Sequence, residues 1–461
     1  MIKLNFAKEA PKNKDIALIE IKEGGRKDAY ITPEAQKKIV VGIGKKKEFS
    51  RRKLIILPRR IISLAKARRI KKIAINFDEL KKLLKEKEGE LAEILITNLE
   101  MGNFEFVKYK TKPQEGWRFI EEVTLYGKMG ASTKRGAEKG QIIGDEINAC
   151  RELVNTPGGE MTPKLLASTA EKRAEGTKVK VEVLGKSDIR KLKMGGILGV
   201  AEGSKEEPKL IVMRYKGSAG QPMVLVGKGV TFDTGGLNIK PDLSMNEMHM
   251  DMSGGAAALH TIILAAKLKL KKHIVVLIPA VENMPSGSSY RPGDILRTMS
   301  GKTIEVGHTD AEGRVILADA ITYAKEFKPK LVIDVATLTG SAMAALGKRA
   351  SAILGKDEKM VSQLIEAGES VGDYAWPLPL WDEYEEDIKG TFGDVTNSGK
   401  TRYGGAITAA MFLYQFAKEL DCPWAHIDMA PRMTSIHGEY LAKGAAGAPI
   451  GLLMRFLQNR K

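Results

Sequence analysis

Four apolar runs, PMVLVGK, HIVVLIPA, KLVIDVAT and WAHIDMA, are nearly continuous instead of alternating with polar residues, as strands buried on both faces are. Between them lie helical segments such as GGAAALHTIILAAKLK and ADAITYAKEF. Strand and helix in alternation predict a mainly parallel or mixed sheet with helices on both faces. The first 130 or so residues carry shorter apolar runs (IALIEI, KLIIL, KIAINF, FEFVKY) among charged helical stretches such as DELKKLLKEKEGELAEILITNL, which predicts a second, smaller α/β domain. STKRGAEKGQIIGDEINACREL has helical spacing and stops at NTPGG. The expected organisation is an N-terminal α/β domain over residues 1–131, a linking helix over 132–153 and a catalytic domain over 154–461.

At 461 residues, 43% of them apolar, the chain can bury two cores. No stretch of about 18 uncharged apolar residues predicts a membrane span, and MIKLNFAKEAPKNKD has no secretory apolar run, so the expected location is the cytoplasm. Cys150 and Cys422 read as buried reduced thiols, too few for a disulfide framework.

In open α/β sheets functional groups gather beyond the carboxyl ends of the strands, and the polar residues here fall there. After PMVLV comes GKGVTFDTGG with Lys228 and Asp233, then Lys240, then Asp251 just before a glycine-opened helix. Further on comes Thr309-Asp310-Ala311-Glu312-Gly313-Arg314, again entering a helix. Four carboxylates (Asp233, Asp251, Asp310, Glu312) with two lysines and an arginine at neighbouring loop positions cannot share a site unless cations neutralise them. Two divalent metals solve this, because oxygen ligands suit Mg, Mn and Zn, and such paired sites make a bound water nucleophilic near neutral pH. Glycines around the acids let the backbone approach closely.

These segments resemble the leucyl aminopeptidase family motif by motif: VGKGVTFDTGGLNIK, MHMDMSGGAA, PAVENMPSGSSYRPGDIL, SGKTIEVGHTDAEGRVILADA and DVATLTG, with RELVNTPGGEMTP upstream and GGAITAAMFL and WAHIDMA downstream. The resemblance covers roughly residues 150 to 461. It implies an aminopeptidase that removes leucine and other apolar N-terminal residues from peptides, assembled as a homo-hexamer. It further implies a tighter metal held by Lys228, Asp233, Asp251 and Glu312, and a more exchangeable one held by Asp233, Asp310 and Glu312. The ions would be Mn²⁺ or Zn²⁺, with Mg²⁺ or Co²⁺ as further options. Lys240 would polarise the scissile carbonyl and Arg314 would hold a bicarbonate ion. Met248, Thr337 and Gly340, with Met245, fall in or near the pocket for the N-terminal side chain, where methionines suit flexible apolar groups. His308 stands where the family usually has Asn, and is expected to orient the loop.

Ser300-Gly301-Lys302-Thr303 resembles the end of a phosphate-binding loop, but Leu296 stands where that loop needs glycine. The six histidines show no paired metal spacing. The net charge of +17 is concentrated: Lys45 to Lys72 holds thirteen Lys or Arg and one acid, Glu48. That segment reads as a solvated helix face, or as a non-specific nucleic-acid contact through the basic residues at 51, 52, 59, 60, 68 and 69. The competing functions are a different two-metal hydrolase and a DNA-binding protein on a peptidase scaffold.

Overall fold

The continuous apolar runs form the middle of a sheet. In the computed structural model, which describes residues 1–24, 30–32 and 36–460, Trp424–Asp428, Leu331–Ala336, Met223–Gly227 and His273–Asn283 lie side by side and mutually parallel. Every residue of the first three is buried, so neither face needs polar residues. Outward the sheet becomes antiparallel. Lys209–Lys216 and then Val179–Leu184 extend one side, and Ser351–Gly355 extends the other, with Ala375–Pro377 parallel beyond it. Gly229–Asp233 runs parallel to the far half of His273–Asn283 and completes nine strands. Helices Ser253–Lys267 and Ile450–Asn459 pack together on one face. On the other, Glu312–Tyr323 and Gly405–Ala417 share a core with Val224, Val226, Val275 and Leu277. The sheet is therefore mixed, with a parallel centre whose carboxyl ends share one edge.

The chain divides into two compact units, Met1–Ala149 with Ser435–Gly444, and Cys150–Thr434 with Ala445–Lys461. The first holds a six-stranded sheet ordered Lys3–Ala7, Glu122–Tyr126, Lys72–Asn76, Ile16–Lys22, Lys38–Gly42, Tyr30–Thr32, parallel except for its last strand. Of the short apolar runs, KLIIL and FEFVKY are not strands, and the helix-face reading of the basic segment that contains KLIIL holds. KLIIL lies inside helix Arg51–Ala67, where Leu54, Ile55, Leu57, Ile61, Ile62 and Ala65 supply a buried helical stripe; FEFVKY forms no strand. The stretch beginning DELKK also breaks into two helices, Phe77–Lys81 and Glu88–Asn103.

Helix Ala131–Val154 presents Gly136, Gly140 and Gly144, four apart, to helix Glu88–Asn103. A Cβ on Gly140 would stand 2.5 Å from the Glu93 carbonyl oxygen, and one on Gly144 2.6 Å from Glu100 Cβ. Glycine is what lets these two backbones approach.

Four cations of the basic segment are paired within this unit. Arg51 pairs with Glu86 and Glu90, Lys66 with Glu105, Arg69 with Glu115 and Lys71 with Glu121. Arg59, expected to face phosphates, is 5% exposed and its Nε donates to Asn98 Oδ1 at 2.8 Å. It points inward because its position falls on the apolar stripe of its helix. Among the described residues no helix is long and apolar enough to cross a membrane.

Candidate active site

The parallel centre of the sheet delivers its polar residues to one edge. Lys228 follows strand Met223–Gly227, Asp233 ends Gly229–Asp233, Thr337 follows Leu331–Ala336, and Asp428 ends Trp424–Asp428. Asp251 precedes helix Ser253–Lys267, and Glu312 opens helix Glu312–Tyr323, where the helix dipole favours a carboxylate. All of these except Asp428 line one cavity of about 810 Å³.

Lys228 Nζ lies 2.8 Å from Asp251 Oδ2 and 2.7 Å from Glu312 Oε1, and donates to the Thr337 carbonyl at 3.1 Å. Lys240 Nζ lies 2.7 Å from Asp233 Oδ2 and also contacts Asp310 Oδ1. The structure thus brings together all seven charged residues singled out from sequence. Burial opposes the Lys228 ammonium, but Asp251, Glu312 and Asp233 outweigh it and hold its pKa well above the usual lysine value. Lys240 is raised likewise, burial being outweighed by Asp233, Glu312 and Asp310. Burial, reinforced by Glu312 and Asp233 against the pull of Lys228, lifts Asp251 to about 8. Burial lowers Arg314 to about 10.

One oxygen each from Asp233, Asp310 and Glu312 lies within 4.8 Å of the others. Asp251 Oδ2, Asp310 Oδ1 and Glu312 Oε1 are buried beside lysine ammoniums yet accept no aligned hydrogen bond. The converging oxygens of Asp233, Asp310 and Glu312 fit a divalent cation, and Asp251 Oδ2 stands by on the Lys228 side of the same site.

The remaining oxygens are held by the protein. Asp233 Oδ1 accepts from the Gly235 N–H (2.9 Å) and Asn283 Nδ2 (2.8 Å). Asp251 Oδ1 accepts from Thr337 Oγ1 at 2.6 Å, so Thr337, which lines the cavity, also orients a carboxylate. Asn283 Nδ2 and the Tyr290 hydroxyl both donate to the Thr309 carbonyl, at 3.0 and 2.6 Å, clamping the loop before Asp310. Asn397 grips the same loop. Its Oδ1 accepts from the Gly307 and His308 N–H groups, its Nδ2 donates to the His308 and Ala311 carbonyls, and its own carbonyl accepts from Arg314 Nη1 at 2.9 Å. Asn283, Tyr290 and Asn397 were not singled out from sequence. Asn397 arrives because Val395–Thr396 pairs in parallel with Thr303–Glu305.

His308 is exposed on the cavity lining. Its Nδ1 accepts the Asp310 N–H at 3.2 Å, an orienting contact. Met248 and Gly340 line the cavity with Leu338, Met343 and Met433, whereas Met245 is not among its lining residues.

Residues 148–454 match the model of the cytosol aminopeptidase family catalytic domain, and residues 28–113 that of the family's N-terminal domain. A probable cytosol aminopeptidase of Azoarcus sp. (strain BH72) is 46% identical over 361 residues, 77% of this chain and 71% of that protein. One of Pseudomonas syringae pv. syringae (strain B728a) is 40% identical over 432 residues, 93% of this chain and 86% of that protein. Among solved structures, the bottromycin maturation enzyme BotP in complex with Mn superposes with a TM-score of 0.86 at 27% identity, covering 97% of this chain and 99% of the other.

Proposed function

Given that the chain belongs to the cytosol aminopeptidase family and is a metallo-aminopeptidase, we propose that it uses two divalent ions to remove leucine and other apolar residues from the N-termini of peptides. The observation that carries this reading is the pair of lysine-centred clusters, Lys228 with Asp251 and Glu312, and Lys240 with Asp233 and Asp310, set side by side at the carboxyl edge of the sheet. Lys228, Asp233, Asp251 and Glu312 would hold the tighter ion; Asp233, Asp310 and Glu312 would hold the exchangeable one. Mn²⁺ or Zn²⁺ suits these donors, with Mg²⁺ and Co²⁺ as alternatives. Bound metal supplies Lewis acidity toward the first peptide carbonyl and lowers the pKa of a water.

The chain's own residues do the rest. To act as a ligand Lys228 must surrender its proton, which a nearby dication favours. Lys240 carries a positive charge to the oxyanion that forms at the carbonyl. Arg314 Nε is buried with no hydrogen-bond partner, and an orphaned guanidinium donor suits a small oxyanion such as bicarbonate. Met248, Leu338, Met343 and Met433 offer an adaptable apolar wall to the N-terminal side chain.

Protein stripped of metal and resupplied with Mn²⁺ or Zn²⁺ should hydrolyse a leucine anilide but not its N-acetylated form or a simple phosphate ester, reaching full turnover only at two equivalents. Full turnover at one equivalent would refute the two-metal reading. The same reading includes work in the cytoplasm and a homo-hexamer, both of which rest on the family resemblance. Light scattering showing a fully active 50.4 kDa monomer would overturn the hexamer.

A further inference from the structure

Of the lysines, arginines and acids that line the cavity of about 810 Å³, all but two belong to the clusters already described. Those clusters answer their own charge: Lys228 faces Asp251 and Glu312, Lys240 faces Asp233 and Asp310, and Arg314 Nη1 donates to the Asn397 carbonyl. The other two are Lys348 and Glu247. Lys348 is exposed and pairs with no acid among the described residues, Glu247 included. Its place in the wall follows from the chain path. Helix Gly340–Leu346 ends at Gly347, whose N–H donates to the Met343 carbonyl and whose φ of +64° turns the chain. Gly340 and Met343 of that helix line the cavity, and the turn delivers the next residue, Lys348, to the same lining. Arg432 Nη1 donates to the Lys348 carbonyl at 3.0 Å, and Met433, which follows Arg432, lines the cavity too. The backbone of Lys348 is therefore tied on both sides to the elements that supply the methionine wall.

A lysine side chain is aliphatic up to its ammonium, so Lys348 continues the apolar wall and ends it in a positive charge. Arg349, the next residue, is also exposed and pairs with no acid among the described residues, adding to the positive potential there. An N-terminal leucine uses only the apolar part of such a wall. Glutamate presents two methylenes and then a carboxylate: the methylenes lie where leucine carbons would, and the carboxylate meets a cation that the protein leaves unanswered. Glutamine has the same shape without the charge, and an N-terminal lysine sets like charges against each other. The discrimination among these three side chains is therefore electrostatic, with shape held nearly constant between the first two.

We propose, resting on the aminopeptidase reading above, that Lys348 is a specificity-determining residue that extends the substrates to peptides beginning with glutamate, its ammonium receiving the side-chain carboxylate at the outer end of the methionine wall. The test is kcat/KM of the intact, metal-loaded protein on the anilides of leucine, glutamate, glutamine and lysine. Glutamate should exceed glutamine by about 2–5-fold, the size of an exposed ion pair, and lysine should be the poorest of the four. Lys348→Met should bring the glutamate-to-glutamine ratio to about one, Lys348→Arg should keep it, and Lys348→Glu should invert the order of glutamate and lysine. Because each ratio is taken within one preparation, a partly active or partly metal-loaded sample does not alter it. A ratio unchanged in Lys348→Met overturns the proposal. So does a wild-type preference for lysine over glutamate, which would give the end of the pocket to Glu247. Both results leave the aminopeptidase reading standing, whereas failure of the metal-loaded protein to hydrolyse the leucine anilide overturns that reading and the proposal together.

Discussion

Asn397→Ala should impair catalysis although the asparagine contributes no ligand. Its side chain is fully buried and makes four hydrogen bonds to the loop carrying Asp310 and Glu312: from Gly307 N (2.8 Å) and His308 N (3.2 Å), and to His308 O (2.8 Å) and Ala311 O (3.4 Å). A hydrogen bond contributes about 1 kcal/mol net, and water can reach exposed Gly307 and His308 once the amide is gone, so the loss of stability should be about 2–3 kcal/mol. The functional loss should be larger. Groups that orient metal ligands typically account for ~10–100-fold in metal affinity, and a displacement of about 1 Å at reacting groups for ~100-fold in rate. Asn397→Asp should not rescue, because it keeps the acceptor but sets an anionic oxygen against the carbonyls of His308 and Ala311. Turnover of leucine anilide across a metal titration, with the melting temperature measured on the same samples, separates the two effects. A variant with normal turnover and unchanged metal dependence would refute the argument that this amide positions the loop.

Asp310→Asn and Glu312→Gln should each abolish turnover with little change in melting temperature; near-normal turnover at saturating metal would sink the ligand assignment. Lys240→Ala should lower turnover by about 10²–10³ while leaving metal affinity nearly intact, and Lys228→Ala should chiefly weaken the tighter metal, so the opposite pattern in metal titrations would exchange their roles. Gly140→Ala should lower stability by about 1–3 kcal/mol or more in denaturant titration, since the added methyl meets the Glu93 carbonyl at 2.5 Å; no loss would mean the helices separate easily. His426 is fully buried; burial disfavours its charge, but Asp334 at 2.5 Å and Asp428 outweigh this and the repulsion of Arg314, raising its pKa above 6.5. The folded value exceeds the unfolded one, so the stabilisation is full below about pH 6.5 and disappears as pH rises through the raised value. Melting temperatures of wild type and His426→Gln should therefore converge with rising pH, and parallel curves would count against the ion pair.

The parallel centre of the sheet was readable because burial on both faces removes the reason for polar alternation, so the runs are mainly apolar, broken only by Asp334 in one and His426 and Asp428 in another. KLIIL taken alone was ambiguous for the same reason, although the helix-face reading of the basic segment around it holds. A short apolar run does not distinguish a strand from one turn of a buried helix, and only residues beyond it, Ile61, Ile62 and Ala65, restore the helical period. The glycines at 136, 140 and 144 were in plain view as a spacing of four, the mark of close helix packing, within a segment expected only to link two domains. Charge density misled as well. Arg59 lies in a run of basic residues, yet helical phase carries it to the buried side, where Asn98 receives it.

At the active site, what could be read was what chemistry requires of residue type. Four carboxylates in the segments that leave the carboxyl edge of a buried sheet cannot be neutral scenery, and their gathering follows from the topology that aligns that edge. What could not be read was the support, because Asn283, Tyr290 and Asn397 act on residues distant in the chain through hydrogen bonds that no spacing rule announces. The glycines lie between these extremes. Gly235 and Gly236 sit at φ +88° and +64°, and a Cβ on Gly235 would approach Asp310 Oδ1 to 3.0 Å. Gly313, between Glu312 and Arg314, is needed for a different reason: a Cβ there would stand 2.7 Å from Lys228 Nζ. The glycine of one motif is thus the space into which the lysine of another extends. Two segments some 85 residues apart must keep complementary sizes, which makes substitution at Gly313 a perturbation of the Lys228 ligand itself.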